Sequence, residues 1–396
     1  MKIAILLPER PDLGWRWRAK ELARSLRQTG APDGDEITVA IGLPREPEAD
    51  WRRKEAEMLS DDDGVVVRHL GWERVEPAMA ERMFPDLKAS LDDIPDVALP
   101  RDWGWNFVDC DAWIVCADAA QGAVAPLKPV AYYVRDLAQR YVPSAFASGL
   151  DHIFWRRQDH AFRLWRQAEC VFSTQAATND DISGYAGVRR DRIVLSPQLT
   201  PASGDATKRS AGSSIDLLWL AEPYAGHDPA VALEAVRILR SEGEDARITV
   251  CGEQAYGFDP EDGQLTLLAA PARARRAAES IACETVADER ELARVLSRTK
   301  LVWSSALADG EAEGVLRAAQ VGVPYVGLRY PQAERLVQEL GVTAFFYDRS
   351  EAGLIADALK QALSNTASAP TSGLSPKDDT RDWSSVVERL WRRPGA

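Results

Sequence analysis

Cysteine is scarce in this chain, and what little there is does not form a pattern. The five thiols, Cys110, Cys116, Cys170, Cys251 and Cys283, are odd in number and scattered, and no two have metal-ligand spacing. Four fall in apolar runs, where a small buried thiol is the expected state. No apolar run approaches the ~18 residues of a membrane-spanning helix, and no secretory signal precedes Met1-Lys2-Ile3. A cytoplasmic protein is expected. Basic residues are outnumbered, giving a formal net charge of −13. That balance argues against general nucleic-acid binding, which relies on neutralising phosphates. A Gly-x-Gly-x-x-Gly fingerprint is also missing from the first βα turn, so a dinucleotide site of the usual kind is not indicated.

What remains is a globular composition, 45% hydrophobic and 28% charged, in 396 residues. That length accommodates two domains with their own cores. Lys2 to Leu7 is a continuous apolar run of the kind a buried parallel strand requires. A loop with Asp12-Leu13-Gly14 follows, then a helix from about Trp15 to Gln28, closed by Gly30. Further strands are predicted at Glu36 to Leu43, Val65 to Leu70, Ala112 to Cys116 and Pro129 to Val134. The last of these runs into Arg135-Asp136-Leu137. A carboxylate at a strand's C-terminal end sits where α/β sheets place ligands, and Asp136 can equally cap the next turn. Residues 10–27 carry six basic side chains, Arg10, Arg16, Arg18, Lys20, Arg24 and Arg27, with Trp15 and Trp17 between them. A solvated helix face accounts for this stretch, and so does peripheral contact with anionic lipid.

Pro201 to Ser214 is rich in Ser, Gly, Ala and Thr and marks a domain boundary. A second βα alternation follows, with strands at Ile215 to Leu220 and Arg247 to Cys251 and a helix from Asp228 to Arg240. The expected domains are therefore 1–200 and 215–380, joined by 201–214, with a terminal helix over 381–396. The most informative stretch is Ser304 to Tyr330. A short strand enters the turn Asp309-Gly310-Glu311-Ala312-Glu313-Gly314, a helix follows, and Gly322 occupies the left-handed position that closes helices. Pro324 prevents helix from continuing. A helix N-terminus after such a turn suits an anion, and a purely structural βα turn has the same signature.

This stretch resembles the donor-site segment of retaining glycosyltransferases of family four. Those proteins usually read Glu-Gly-Phe-Gly, three residues, Glu-Ala, then Gly-Val-Pro. Asp309 takes the first acidic position, Gly310 the glycine after it, and Gly322-Val323-Pro324 the closing triplet. The second acidic position falls on Arg317, a charge reversal. Elsewhere Arg135-Asp136-Leu137 stands where the mannosyltransferase-like branch commonly has His-Asp-Leu. The family's Arg and Lys, which clamp the donor diphosphate, fall on Glu222 and Ala225, followed by Gly226-His227-Asp228. With hydrogen bonds to charged groups worth ~1.5–3 kcal/mol each, losing two implies a roughly 10²–10⁴-fold loss of donor affinity.

The resemblance implies an α/β protein of the GT-B fold, two Rossmann-like domains facing a cleft, with the last helix crossing back to the first domain. It implies sugar transfer with retention from a nucleotide-activated donor to a glycan, lipid-linked or small-molecule acceptor, without cofactor or metal. Asp136 and Asp309 would stand at the reacting centre. Gly14, Gly310, Glu311, Ala312, Glu313, Arg317, Glu222 and His227 would line the donor, and Arg135 the acceptor side. The missing clamp leaves two readings open. In one, Arg317, Arg135 and His227 supply the lost positive charge. In the other, the chain is a degenerate, non-catalytic relative that binds or scaffolds an active transferase.

Overall fold

The computed structural model describes residues 1–9, 11–44, 64–87, 96–117, 122–143, 151–199, 215–221, 225–258, 277–365 and 382–391. Arg10, residues 61–63, the stretch from Pro201 to Ser214, Glu222 and residues 367–376 lie outside the described residues. The chain divides into two compact units. Met1–Arg140, Ala147–Pro201 and Asp379–Ala396 form the first; Tyr141–Phe146 and Ala202–Asp378 form the second.

The strands of the first unit are β1 (Lys2–Leu6), β2 (Thr38–Pro44), β3 (Val65–Leu70), β4 (Trp72–Val75), β5 (Val97–Pro100), β6 (Ala112–Ala117), β7 (Val130–Val134), β8 (Cys170–Ser173) and β9 (Ile193–Leu195). Seven of them make one parallel sheet in the order β3-β2-β1-β6-β7-β8-β9, while β4 and β5 pair antiparallel beside it. The β4–β5 ribbon was not read from the sequence, because its four-residue strands are too short to show a period. Alternation along β1 sends Ile3 and Ile5 into one core layer and Ala4 and Leu6 into the other, and all four are fully buried. Both faces being covered is what makes this strand read as an unbroken apolar run.

On the Ile3/Ile5 face lies α1 (Leu13–Thr29), whose Trp15, Leu22 and Leu26 belong to the same buried cluster. The opposite face is covered by α2 (Asp151–Gln167) and α3 (Ala176–Gly184), through Phe162, Trp165 and Ile182. An aromatic ladder runs through the first of these layers. Trp15 meets Tyr133 edge-on at 5.4 Å, Tyr133 stacks on Phe172 at 5.1 Å, and Phe172 meets Trp383 at 5.7 Å. Trp383 leads into the terminal helix (Ser384–Trp391), whose Val386, Val387 and Leu390 fill the same cluster. The last helix therefore completes the core of the first unit, as the GT-B expectation requires.

The second unit carries β10 (Leu217–Leu220), β11 (Ile248–Gly252), β12 (Ile281–Thr285), β13 (Val302–Ser304), β14 (Tyr325–Leu328) and β15 (Ala344–Tyr347). They form one parallel sheet in the order β12-β11-β10-β13-β14-β15. In chain order this is 3-2-1-4-5-6, the doubly wound arrangement. Its helices include α4 (Pro229–Ser241), α5 (Glu289–Leu296), α6 (Glu313–Val321), α7 (Pro331–Leu340) and α8 (Ala352–Asn365). Gly322 closes α6 in the left-handed conformation, φ 67°, and its N–H bonds back to Ala318 and Ala319. Trp219 and Trp303, opposite one another on β10 and β13, stack at 4.7 Å in the centre of the core. Among the described residues, no helix is long and apolar enough to cross a membrane.

Removing the Trp383 side chain should cost about 3–5 kcal/mol, as for other fully buried aromatics, visible as a lower denaturant midpoint. Thiol accessibility gives a second check. Cys283 is exposed and the other four cysteines are buried. Burial pushes Cys110 up to about 11 and Cys170 up to about 12. An aromatic disulfide reagent near pH 8 should titrate one thiol rapidly in native protein and all five after denaturation.

Candidate functional site

In a doubly wound sheet the loops leaving two adjacent strands diverge to opposite faces where the strand order reverses, and ligands bind in the crevice this opens. In the second unit that place is between β10 and β13, whose residues Trp219 and Leu220 lie opposite Trp303 and Ser304. The segment 305–312 leaves β13 and is tied to the β10 side twice. The buried Trp219 indole donates to the Ser305 hydroxyl at 2.9 Å, and the Leu307 N–H donates to the Gly226 carbonyl at 2.9 Å. Gly226 belongs to the turn Ala225–His227, so His227 and the segment around Asp309 are brought together at this crevice.

Asp309 organises the loop. Its carboxylate accepts the Glu311 N–H at 3.1 Å and the Glu313 N–H at 2.7 Å, while its carbonyl accepts the Ala312 N–H at 3.0 Å. The first N–H of α6, that of Glu313, is therefore answered by a carboxylate from the loop before it. Gly310, Glu311 and Ala312 are buried, with Glu311 and Ala312 at 0% exposure. Ala312 has φ 48° and precedes the first turn of α6; Asp228, before α4, has φ 43°. Left-handed backbone at a non-glycine residue costs of order 1–3 kcal/mol, and both instances flank the same crevice. Gly314 allows α6 to sit close on the sheet. A Cβ there would lie 2.7 Å from a Tyr325 ring carbon and 2.9 Å from the Ser304 Cβ. Beneath the loop, Tyr325, Tyr330 and Tyr347 are buried. Burial above all, with Asp309 adding to it for Tyr325 and Tyr330, pushes these phenols far up and keeps them neutral.

Arg317 is where structure and expectation part. It was expected to face the nucleotide; it is instead 1% exposed and held by two carboxylates. Its Nη1 and Nη2 each donate to Glu289 at 2.7 Å, and Nη2 also donates to Glu313 at 2.9 Å. The Glu313 pair one helical turn away was legible, but not Glu289, which opens α5 and is 28 residues distant in sequence. Burial opposes the guanidinium's charge, and Glu289 and Glu313 outweigh that, holding it above the ordinary arginine range. The cation thus locks α6 to α5 and is not a spare phosphate ligand.

The first unit gathers the other predicted residues. Asp136, after β7, accepts the Ala138 N–H at 3.2 Å and the Arg135 Nε at 3.3 Å. Arg135 also grips Asp12 through Nη1, at 2.8 and 3.1 Å, and lies over the Trp15 ring at 5.0 Å. Asp12 in turn caps α1 by accepting the Trp15 N–H at 2.7 Å. Gly14 is buried in the first turn of that helix, and the Arg18 Nη1 donates to its carbonyl at 3.0 Å. So the helix N-terminus expected to approach a diphosphate through Gly14 carries its own carboxylate. Asp12 was not singled out from the sequence, although an aspartate just before a helix is a standard N-cap signal. The Arg- and Trp-bearing stretch is also corrected. Trp15, Trp17, Arg16 and Arg18 are at most 3% exposed, so they form neither a solvated face nor a lipid-binding one.

No family model and no curated protein matches this chain in sequence. Solved structures do match in fold. HepE from Anabaena, determined in complex with UDP and glucose, has a TM-score of 0.61 at 12% identity, over 98% of this chain and 95% of that one. Sucrose-phosphate synthase from Thermosynechococcus elongatus gives 0.60 at 11% identity, over 98% and 94%. UDP-GlcNAc 2-epimerase from Neisseria meningitidis, bound to UDP-GlcNAc, gives 0.55 at 11% identity, over 99% and 100%. At such identity the likeness is one of fold. The chain has the GT-B architecture, shared by glycosyltransferases and nucleotide-sugar epimerases.

The buried ion pair makes a sharp prediction. Arg317→Glu places three carboxylates together and should cost at least about 3–5 kcal/mol, the range for a broken buried pair. Arg317→Met combined with Glu289→Gln and Glu313→Gln should recover most of that loss. Equal denaturant midpoints for wild type and Arg317→Glu would contradict the assignment.

Proposed function

We propose that this protein is a GT-B glycosyltransferase that moves a sugar, with retention, from a nucleotide-activated donor to a glycan, lipid-linked or small-molecule acceptor. The observation that carries the reading is the strained, doubly tied crevice between β10 and β13. Two non-glycine residues are held in left-handed backbone there, and strain of that kind is concentrated at ligand sites. The ligands bound in two fold neighbours, UDP with glucose and UDP-GlcNAc, favour a uridine-diphosphate sugar as donor.

In this reading the loop of Gly310 to Glu313, held in shape by Asp309, packs against the sugar and the His227 turn receives the diphosphate. Asp309 acts by holding that backbone in place, since two N–H groups already occupy its carboxylate. Arg135 and Asp136 belong to the acceptor side; Arg135 gains its orientation from Asp12 and Trp15. Neither a cofactor nor a metal is required by this assignment, because phosphate is received by backbone and side-chain donors. The 201–214 segment joins the acceptor unit to the donor unit.

Calorimetry with UDP, GDP, UDP-glucose, UDP-GlcNAc and GDP-mannose tests the reading. One nucleotide sugar should bind. His227→Ala should weaken it roughly tenfold, the value of one hydrogen bond to a charged group. Ala312→Gly should raise stability by up to about 1 kcal/mol by relieving the backbone while loosening the donor. Binding without turnover would favour the non-catalytic reading, and no binding at millimolar concentration would exclude a donor site.

A further inference from the structure

The first unit carries a recess at the edge of its parallel sheet. It has a volume of about 450 Å³ and is lined by the edge strand β3, through Arg68 and His69, and by the turn Trp105–Phe107 with Asp109 after it. That volume falls in the range of ~300–1,000 Å³ usual for small-ligand sites. Asp109 ties it to the start of β1, where Lys2 Nζ donates to the carboxylate at 2.6 Å. Arg68 and His69 stand in the carboxyl half of β3, opposite Gly42 and Leu43 of β2.

Trp105 is the feature that needs explaining. It is 74% exposed, while Trp15, Trp17, Trp113, Trp219, Trp303 and Trp383 are all buried. Its exposure is built in. Trp103, two residues earlier, has φ 57°, a genuine outlier for a bulky side chain. The Asp102 carboxylate clamps the turn by accepting the N–H of Gly104 at 3.1 Å and of Asn106 at 2.9 Å. Phe107 anchors it in the core at 0% exposure. On the strand side, Arg68 donates to the Asn106 carbonyl and to both Asp109 oxygens, at 2.6 and 2.9 Å, and the Asn106 amide donates to the His69 carbonyl at 3.1 Å. Strain and four side-chain anchors are spent to present one indole to solvent.

We propose that this recess is a carbohydrate-binding site, in which a sugar ring of an oligosaccharide stacks on Trp105 and its hydroxyls meet Asn106, His69 and Asp109. An indole face is electron-rich and apolar, and suits the C–H face of a pyranose. Planar amide, imidazole and carboxylate groups around it suit the ring's hydroxyls, which need both donors and acceptors. A protein partner fits less well, because the centres of protein interfaces are depleted of charge and this indole is bordered by the Arg68–Asp109–Lys2 network. A nucleic acid is disfavoured by the net charge of −13. The site's place on the edge strand β3, in the unit that does not carry the β10–β13 crevice, makes it an accessory hold on a glycan chain. It rests on the chemistry of the recess and not on the transfer reading.

The full-length protein should be applied to a printed array of neutral and acidic oligosaccharides, and the captured oligosaccharide titrated by calorimetry. Trp105→Ala should weaken binding roughly tenfold or more, while Trp105→Phe retains part of it. The melting temperature should stay at the wild-type value in both, since the side chain is exposed. Nucleotide-sugar affinity should also be unchanged, which separates this outcome from that of the donor site. No capture on the array, or equal affinity of wild type and Trp105→Ala, would overturn the proposal.

Discussion

Parallel strand pairing is the constraint on which everything else in this molecule rests. A parallel neighbour cannot be reached by a tight turn, so each strand must be followed by a crossover. The crossovers cover both faces of each sheet, which is why β1 is apolar on both sides. They also send the functional loops to the carboxyl ends. In each unit the first strand pairs on one side with the second and on the other with a later one: β1 with β2 and β6, β10 with β11 and β13. The resulting reversal point is where the Asp309 loop and the His227 turn meet.

Around that geometry the protein repeatedly answers helix termini with its own carboxylates. Asp309 serves α6, Asp12 serves α1, and Asp288 serves α5 by accepting the Glu291 N–H at 2.8 Å. Such caps are worth ~0.5–2 kcal/mol each, and they also occupy N–H groups that could otherwise take an external anion. Arg317 illustrates the same economy with opposite sign. A guanidinium that is fully buried has to be matched, and Glu289 and Glu313 match it. The segment from Asp309 to Arg317 is thus matched by its own charges, and in the proposed function ligand contact would fall to the remaining backbone and to His227.

Several of these features were open to the sequence. The apolar runs, the glycine at 322 and the proline at 324 placed strands and helices with small errors, because burial on both faces and left-handed closure leave local marks. The frame around Asp309 and Gly310 was sufficient to expect the GT-B architecture. The β4–β5 ribbon was invisible for want of length. β12 was missed for a different reason: three of its five residues are exposed, so it never reads as an apolar run.

By itself, then, the sequence determined most of the strands and helices, the two α/β units and the fold they share with nucleotide-sugar enzymes, since periodicity and turn chemistry act over a few residues. Only the tertiary structure decided what the charged and aromatic residues do. Arg317 became a strut because Glu289 arrives from another helix. Arg16 and Arg18 went inside although their spacing suggests a surface. Trp105 was held outside by the strained turn at Trp103. A side chain's partner is set by which elements pack together, and packing joins residues whose separation in sequence carries no local signal.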